Sequence, residues 1–80
     1  MKVFEVGRFY DAEGTGVPPI KILRRTDKTV WVRNDYSKWS MRIKVHNGME
    51  YVADSSVPYR WRQCYTYCAN RQTDNAYWVD

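Results

Sequence analysis

Short runs of β-branched and aromatic residues recur along this 80-residue chain, parted by clusters of Gly, Pro, Asn and Asp. Such punctuation predicts strands joined by tight turns. Lys2 to Tyr10 reads as a first strand region, with Gly7 as a bulge or bend. Asp11 to Pro19, carrying Gly14, Gly16, Pro18 and Pro19, is a loop. Ile20 to Asn34 forms a hairpin. A three-residue loop, Thr26-Asp27-Lys28, sets Ile20, Ile22, Val30 and Val32 on one face; a two-residue loop, Asp27-Lys28, groups Leu23 with Val30 and Val32 instead. The first collects more aliphatics and is preferred, although Lys28 is not an ideal left-handed residue.

The second hairpin is better specified. Trp39 to His46 and Met49 to Asp54 flank Asn47-Gly48, the favoured pair for a two-residue type I′ turn. That turn sets Val45 opposite Glu50, Ile43 opposite Val52, Lys44 opposite Tyr51 and Arg42 opposite Ala53. Met41, Ile43, Val45 and Val52 then form a core face, and Arg42, Lys44, His46, Met49 and Tyr51 a basic solvent face. After a turn at Ser55 to Pro58, Tyr59 to Cys68 alternates with a strand period, a helix being the alternative reading. Ala69 to Asn75 is polar loop, and Ala76 to Val79 a short closing strand. Five or six antiparallel strands with at most one short helix suggest a single mainly β domain over residues 1–80. Its expected form is a small partly closed barrel, SH3-like or OB-like. Closure would remove sheet edges that invite aggregation.

Composition agrees. There is a single leucine, Leu23, against nine valines, seven tyrosines, four tryptophans and five threonines. Helix formers are scarce where β formers are dense. A chain this short buries only ~60% of its unfolded surface, so the large area of each aromatic side chain matters to its core. No apolar run is long enough to span a bilayer, no leader-like segment follows Met1, and two cysteines do not make a secreted disulfide scaffold. A cytosolic protein that does not enter membranes is the expectation.

Candidate chemistry is thin. Cys64 and Cys68 sit four apart, ~13 Å along a strand, too far for a disulfide. A zinc site would need two further ligands, and the chain has one histidine, His46. Neither metal nor cofactor is expected, and the cysteines read as small buried hydrophobes. His46 would need an orienting carboxylate, Glu50 or Asp35, to act as a general base; an exposed turn histidine is the simpler reading. Thirteen Lys and Arg against nine Asp and Glu give a net charge of +4, which favours an acidic partner. Basic and aromatic residues also interleave: Arg24, Trp31 and Arg33 around the first hairpin, Arg42, Lys44 and Tyr51 around the second, and Arg60, Trp61 and Arg62 along the third aromatic run. Stacking rings beside guanidinium groups hold single-stranded nucleic acid in small barrels, while alternate arginines also suit a solvated strand face.

One stretch carries a resemblance. Arg24-Arg25-Thr26-Asp27-Lys28-Thr29-Val30, followed by Arg42-Ile43-Lys44 and Gly48-Met49-Glu50-Tyr51-Val52, resembles a group of small proteins from phages and mobile elements of gut bacteria. It spans roughly Val6 to Val52 and leaves the tail outside. The resemblance implies an origin and no particular activity. With the basic aromatic surface it suggests three readings. The first is a non-enzymatic accessory protein that binds a host protein such as an anti-phage defence effector. The second is a small nucleic-acid-binding domain, and the third a small nuclease using His46.

Overall fold

The computed structural model describes residues 1–12, 18–35, 37–54 and 65–73. These form seven strands: β1 (Phe9–Ala12), β2 (Ile20–Arg25), β3 (Thr29–Arg33), β4 (Lys38–Arg42), β5 (Lys44–His46), β6 (Met49–Asp54) and β7 (Tyr65–Thr73). All strand pairs are antiparallel, in one sheet of order β4-β3-β2-β1-β7-β6-β5. The mainly β expectation holds, with no helix among the described residues. Among the described residues the strands number seven instead of five or six, and their ladder runs open from β4 to β5.

The Asn47-Gly48 turn forms as the sequence predicts. Lys44 pairs with Tyr51, Val45 with Glu50 and His46 with Met49. Asn47 and Gly48 take φ of 53° and 72°, the double left-handed conformation of a type I′ turn. A Cβ at Gly48 would meet no atom within 4 Å, so Gly48→Ala is expected to cost only the backbone term, ~1 kcal/mol. A urea melt showing a loss above twice that would indicate that the turn tolerates less than its geometry implies.

The β2–β3 hairpin settles its loop differently from the preferred reading. The Thr26 N–H donates to Thr29 O at 2.9 Å and Arg25 pairs with Val30, so the loop is the two-residue Asp27-Lys28. Two residues further, the register shifts between Ile22 and Arg24. This bulge sets Leu23 and Arg24 together opposite Trp31, and Ile22 returns to Val32. The predicted core face of Ile20, Ile22, Val30 and Val32 therefore stands, each fully buried. The two-residue turn has a further effect. Directly opposed residues share a face, so Arg25, opposite buried Val30, points inward.

The segment predicted as one strand from Trp39 to His46 breaks at Ile43. Arg42 pairs with Thr29 on β3, and the Ile43 N–H donates to Lys28 O at 2.8 Å. The predicted pairs Ile43–Val52 and Arg42–Ala53 do not form: pairing of the second hairpin ends at Lys44–Tyr51, and the chain before it turns away to lie beside β3. One residue thus joins the two outermost strands of the sheet, which must curl until its edges lie close; β4 and β6 are in contact. Ile43 fills the corner and is buried, whereas Val45, expected in the core, overhangs the β5 edge and is 57% exposed. Met49, expected on the solvent face, is only partly exposed and packs against the core.

Lys2 to Tyr10 is not one strand. Lys2 bridges Met49, donating to Gly48 O and accepting from the Glu50 N–H, and the chain then turns at Gly7 (φ 87°) before β1 begins. The tail expectation also shifts: Tyr65 to Cys68 is strand as predicted, but pairing continues through Thr73 instead of giving way to loop. Gln72 and Thr73 pair with Tyr10 and Phe9, which satisfies backbone groups the loop reading left open. Residues 59–64 and 76–79, assigned to strands above, lie outside the described residues.

The core gathers Phe4, Tyr10, Ile20, Ile22, Val30, Val32, Val52 and Tyr67, with Phe4 and Tyr10 edge to face at 4.9 Å. One end is closed by a polar lock. Arg25 donates from Nη1 to Glu50 Oε1 (2.7 Å), from Nη2 to Glu50 Oε2 (2.8 Å), and from Nη1 to the Phe4 carbonyl (2.7 Å). Glu50 Oε1 also accepts the Phe4 N–H at 2.8 Å, and the Tyr10 hydroxyl accepts the Glu5 N–H at 2.9 Å. The Arg25 hydrogen bonds hold the Glu50 carboxyl below its ordinary range, and Glu50 in turn raises the guanidinium. Burial pushes the Tyr10 phenol upward.

Candidate functional site

With the aliphatic positions of β1 to β4 turned inward, the alternate positions make one outer surface. Its rows follow from the register. Phe9, Lys21, Arg33 and Lys38 lie side by side across the four strands; Arg24, Trp31 and Ser40 form the next row, and Thr29 and Arg42 the third. Five cations therefore share this face with two rings. Asp11 is the only acid among the residues of these four strands. Arg24, Lys38 and Arg42 are exposed, and Phe9, Lys21, Trp31 and Arg33 half-buried.

The rings and cations are coupled in cross-strand pairs. Arg24 lies over the Trp31 ring at 3.9 Å from its centroid, and Lys21 over Phe9 at 5.7 Å. Both distances fall within the ~6 Å reach of a cation–π contact. The two-residue Asp27-Lys28 turn sets Arg24 opposite Trp31, and the bulge at Leu23 then returns Ile22 to Val32. At the end of the first row, the Asn34 carboxamide accepts the Ser37 N–H at 2.9 Å and shapes the β3–β4 connection. A recess of about 120 Å³ opens there between Arg33, Asn34, Asp35, Ser37 and Lys38.

Of the residues singled out in the sequence, the structure brings Arg24, Trp31, Arg33 and Arg42 together. Lys44 and Tyr51 pair with each other on the outer side of β5 and β6, beyond the bend at Ile43. Arg60, Trp61 and Arg62 lie outside the described residues. Sequence reasoning missed Phe9, Lys21 and Lys38. Their signal was present in the alternation, since each is one position from an inward aliphatic or aromatic residue, but joining them to Arg33 required the strand order.

A second, more apolar cleft of about 360 Å³ opens on β5 to β7, lined by His46, Met49, Tyr51, Thr66 and Cys68. His46 is exposed there, opposite Met49. Glu50, a candidate to orient His46, faces the interior and is bound to Arg25 and the Phe4 N–H instead. Cys68 is buried, as the small-hydrophobe reading expects; Cys64 lies outside the described residues. Among the described residues, no group of three or more His, Cys, Asp and Glu is placed to hold a metal ion. No helix among them is long and apolar enough to cross a membrane. Compared with known proteins, the chain matches no family model, no curated protein sequence and no solved structure.

Proposed function

We propose that this domain binds nucleic acid through the outer face of β1 to β4. The observation that carries the reading is the concentration of Lys21, Arg24, Arg33, Lys38 and Arg42 on one four-stranded surface with a single acid, Asp11. A solvated strand face normally mixes charges of both signs; one so unbalanced concentrates a positive field that draws a polyanion. Half-exposed Phe9 and Trp31 add ring surface of the kind bases stack on. We read the curled sheet as a partly closed barrel of the SH3-like or OB-like kind, supported by the single-residue junction of its edge strands at Ile43.

The test uses Lys38→Glu with Arg42→Glu, two exposed positions on β4. Thermal melts are expected to match wild type to ~0.5 kcal/mol, since surface changes rarely cost more. Affinity for a mixed-sequence oligonucleotide should fall. The dependence of log K on log salt should also flatten by about 0.7–0.9 unit for each phosphate contact removed. If wild type binds no oligonucleotide in a salt-dependent way, the reading is lost. Capture of an acidic host protein by the wild type, abolished in the folded double variant, would then assign the face to the accessory-protein reading.

A further inference from the structure

We infer that the outer face selects single-stranded over duplex nucleic acid, with bases stacking on two preformed ring–cation platforms, Arg24 on Trp31 and Lys21 on Phe9. The inference rests on the nucleic-acid reading above and adds the form of the ligand.

Three features of the face lead to it. The first is shape. Four neighbouring strands at ~4.8 Å spacing measure ~14 Å between the outer two before side chains are added. That is wider than the ~12 Å major groove, which admits a helix or a two-stranded ribbon. No helix among the described residues stands out from the sheet to enter a groove in its place. A duplex could touch this face only through its phosphates.

The second is the state of the rings. Phe9 and Trp31 are half-buried rather than sealed in the core, and each is flanked by a cation from the adjoining strand. The Arg24 guanidinium carbon lies 3.9 Å from the Trp31 centroid, close enough for ring and cation to act together as a platform on which an unpaired base can stack. In a duplex both faces of each base are covered by its neighbours, and such a platform has nothing to engage.

The third is the arrangement of charge beside the platforms. Arg33 and Lys38 continue the row that starts with Phe9 and Lys21. Trp31 lies two residues along β3 from Arg33, ~6.6 Å at the rise of a strand. A strand laid along that row therefore meets cations for its backbone on one side and Arg24 on Trp31 for a base on the other. Lys21 and Arg24 are three residues apart on β2, up to ~10 Å, which separates the two platforms enough for each to hold its own base.

The experiment measures fluorescence anisotropy of a labelled mixed-sequence oligonucleotide of about 15 nucleotides, near the upper site size of small single-strand binders. It is offered as single-stranded DNA, as single-stranded RNA and as the DNA duplex. Wild type is expected to bind one or both single strands at least ~10-fold more tightly than duplex. Trp31→Ala should weaken single-strand binding by ~10-fold, the loss typical of one stacked base, with the salt slope unchanged because no phosphate contact is removed. Trp31→Phe, which keeps a ring beneath Arg24, should retain most of the affinity. Thermal melts establish that both variants fold. Duplex binding equal to single-strand binding, or a folded Trp31→Ala variant that binds like wild type, overturns the inference while leaving the nucleic-acid reading in place. Absence of salt-dependent binding to all three probes overturns both.

Discussion

Glu50→Ala is expected to destabilise the fold by about 3 kcal/mol, enough to lower the melting temperature by roughly 10–20 °C in a domain of this size. The carboxylate is 5% exposed and satisfies three donors: two from Arg25 and the Phe4 N–H. Removing it leaves a guanidinium pointed into the end of the core whose remaining acceptors among the described residues are the Phe4 and Thr26 carbonyls, with Nη2 losing its partner. Breaking a buried pair in this way typically costs 3–5 kcal/mol; the low end applies because Arg25 keeps 22% of its side chain exposed. Set against total stabilities of ~0.05–0.15 kcal/mol per residue, that is a large fraction of the whole. The pH dependence has a definite sign. Arg25 depresses the folded-state pKa of Glu50, so the carboxylate's contribution is complete above the unfolded value of ~4.3 and is lost as pH falls through the folded one. Glu50→Gln should therefore flatten the acid limb of the stability curve. Urea midpoints for wild type and Glu50→Gln between neutral pH and about pH 3 measure this, and parallel curves would refute it.

Phe4→Ala should cost a similar amount, about 3–4 kcal/mol. Phe4 precedes the first strand of the sheet, yet it is 1% exposed and stands edge to face with fully buried Tyr10 at an interplanar angle of 83°. Its loss removes a large apolar area and opens a cavity in the core beside Tyr10. Val3, its neighbour at 40% exposure, supplies the control: Val3→Ala should stay within ~0.5 kcal/mol. The two large effects should also be less than additive. Glu50 holds the backbone of Phe4 and the ring of Phe4 seats the same arm, so either change releases much of what the other would. A urea-melt double-mutant cycle measures the coupling, and strict additivity would mean that ring and carboxylate act independently.

Asp27-Lys28 shows why loop chemistry alone misleads. Counting aliphatics selected the right inward set, Ile20, Ile22, Val30 and Val32, but attached it to a three-residue loop; the hairpin reaches the same set with two residues and a bulge. No Gly or Pro marks Leu23 as the bulged position, so the alternation carried no trace of it. A clue lay elsewhere. The Asn47-Gly48 register already set Glu50 in phase with Val52, on the inward face, and a carboxylate there requires a buried donor partner. That requirement points to a cation inside, without saying that Arg25 is the one.

The sequence by itself determined the β class, the Asn47-Gly48 turn and its pairing from Lys44 to Met49, and which aliphatics of the first hairpin face inward. These depend on the period of a strand and the φ values a turn demands, both set by residues close in the chain. Only the tertiary structure decided where Trp39 to His46 breaks, that Glu50 is buried while Val45 is exposed, and that Phe9, Lys21 and Lys38 join Arg33 in one row. A strand has two edges, and local pattern does not say which neighbour takes each. The choice at Ile43, between continuing beside β6 and binding Lys28 on the β2–β3 turn, is made by hydrogen bonds to residues distant in sequence. That one corner curls the sheet and brings Glu50 on β6 to Arg25 on β2, while the order and register of β1 to β4 set the basic and aromatic residues in rows.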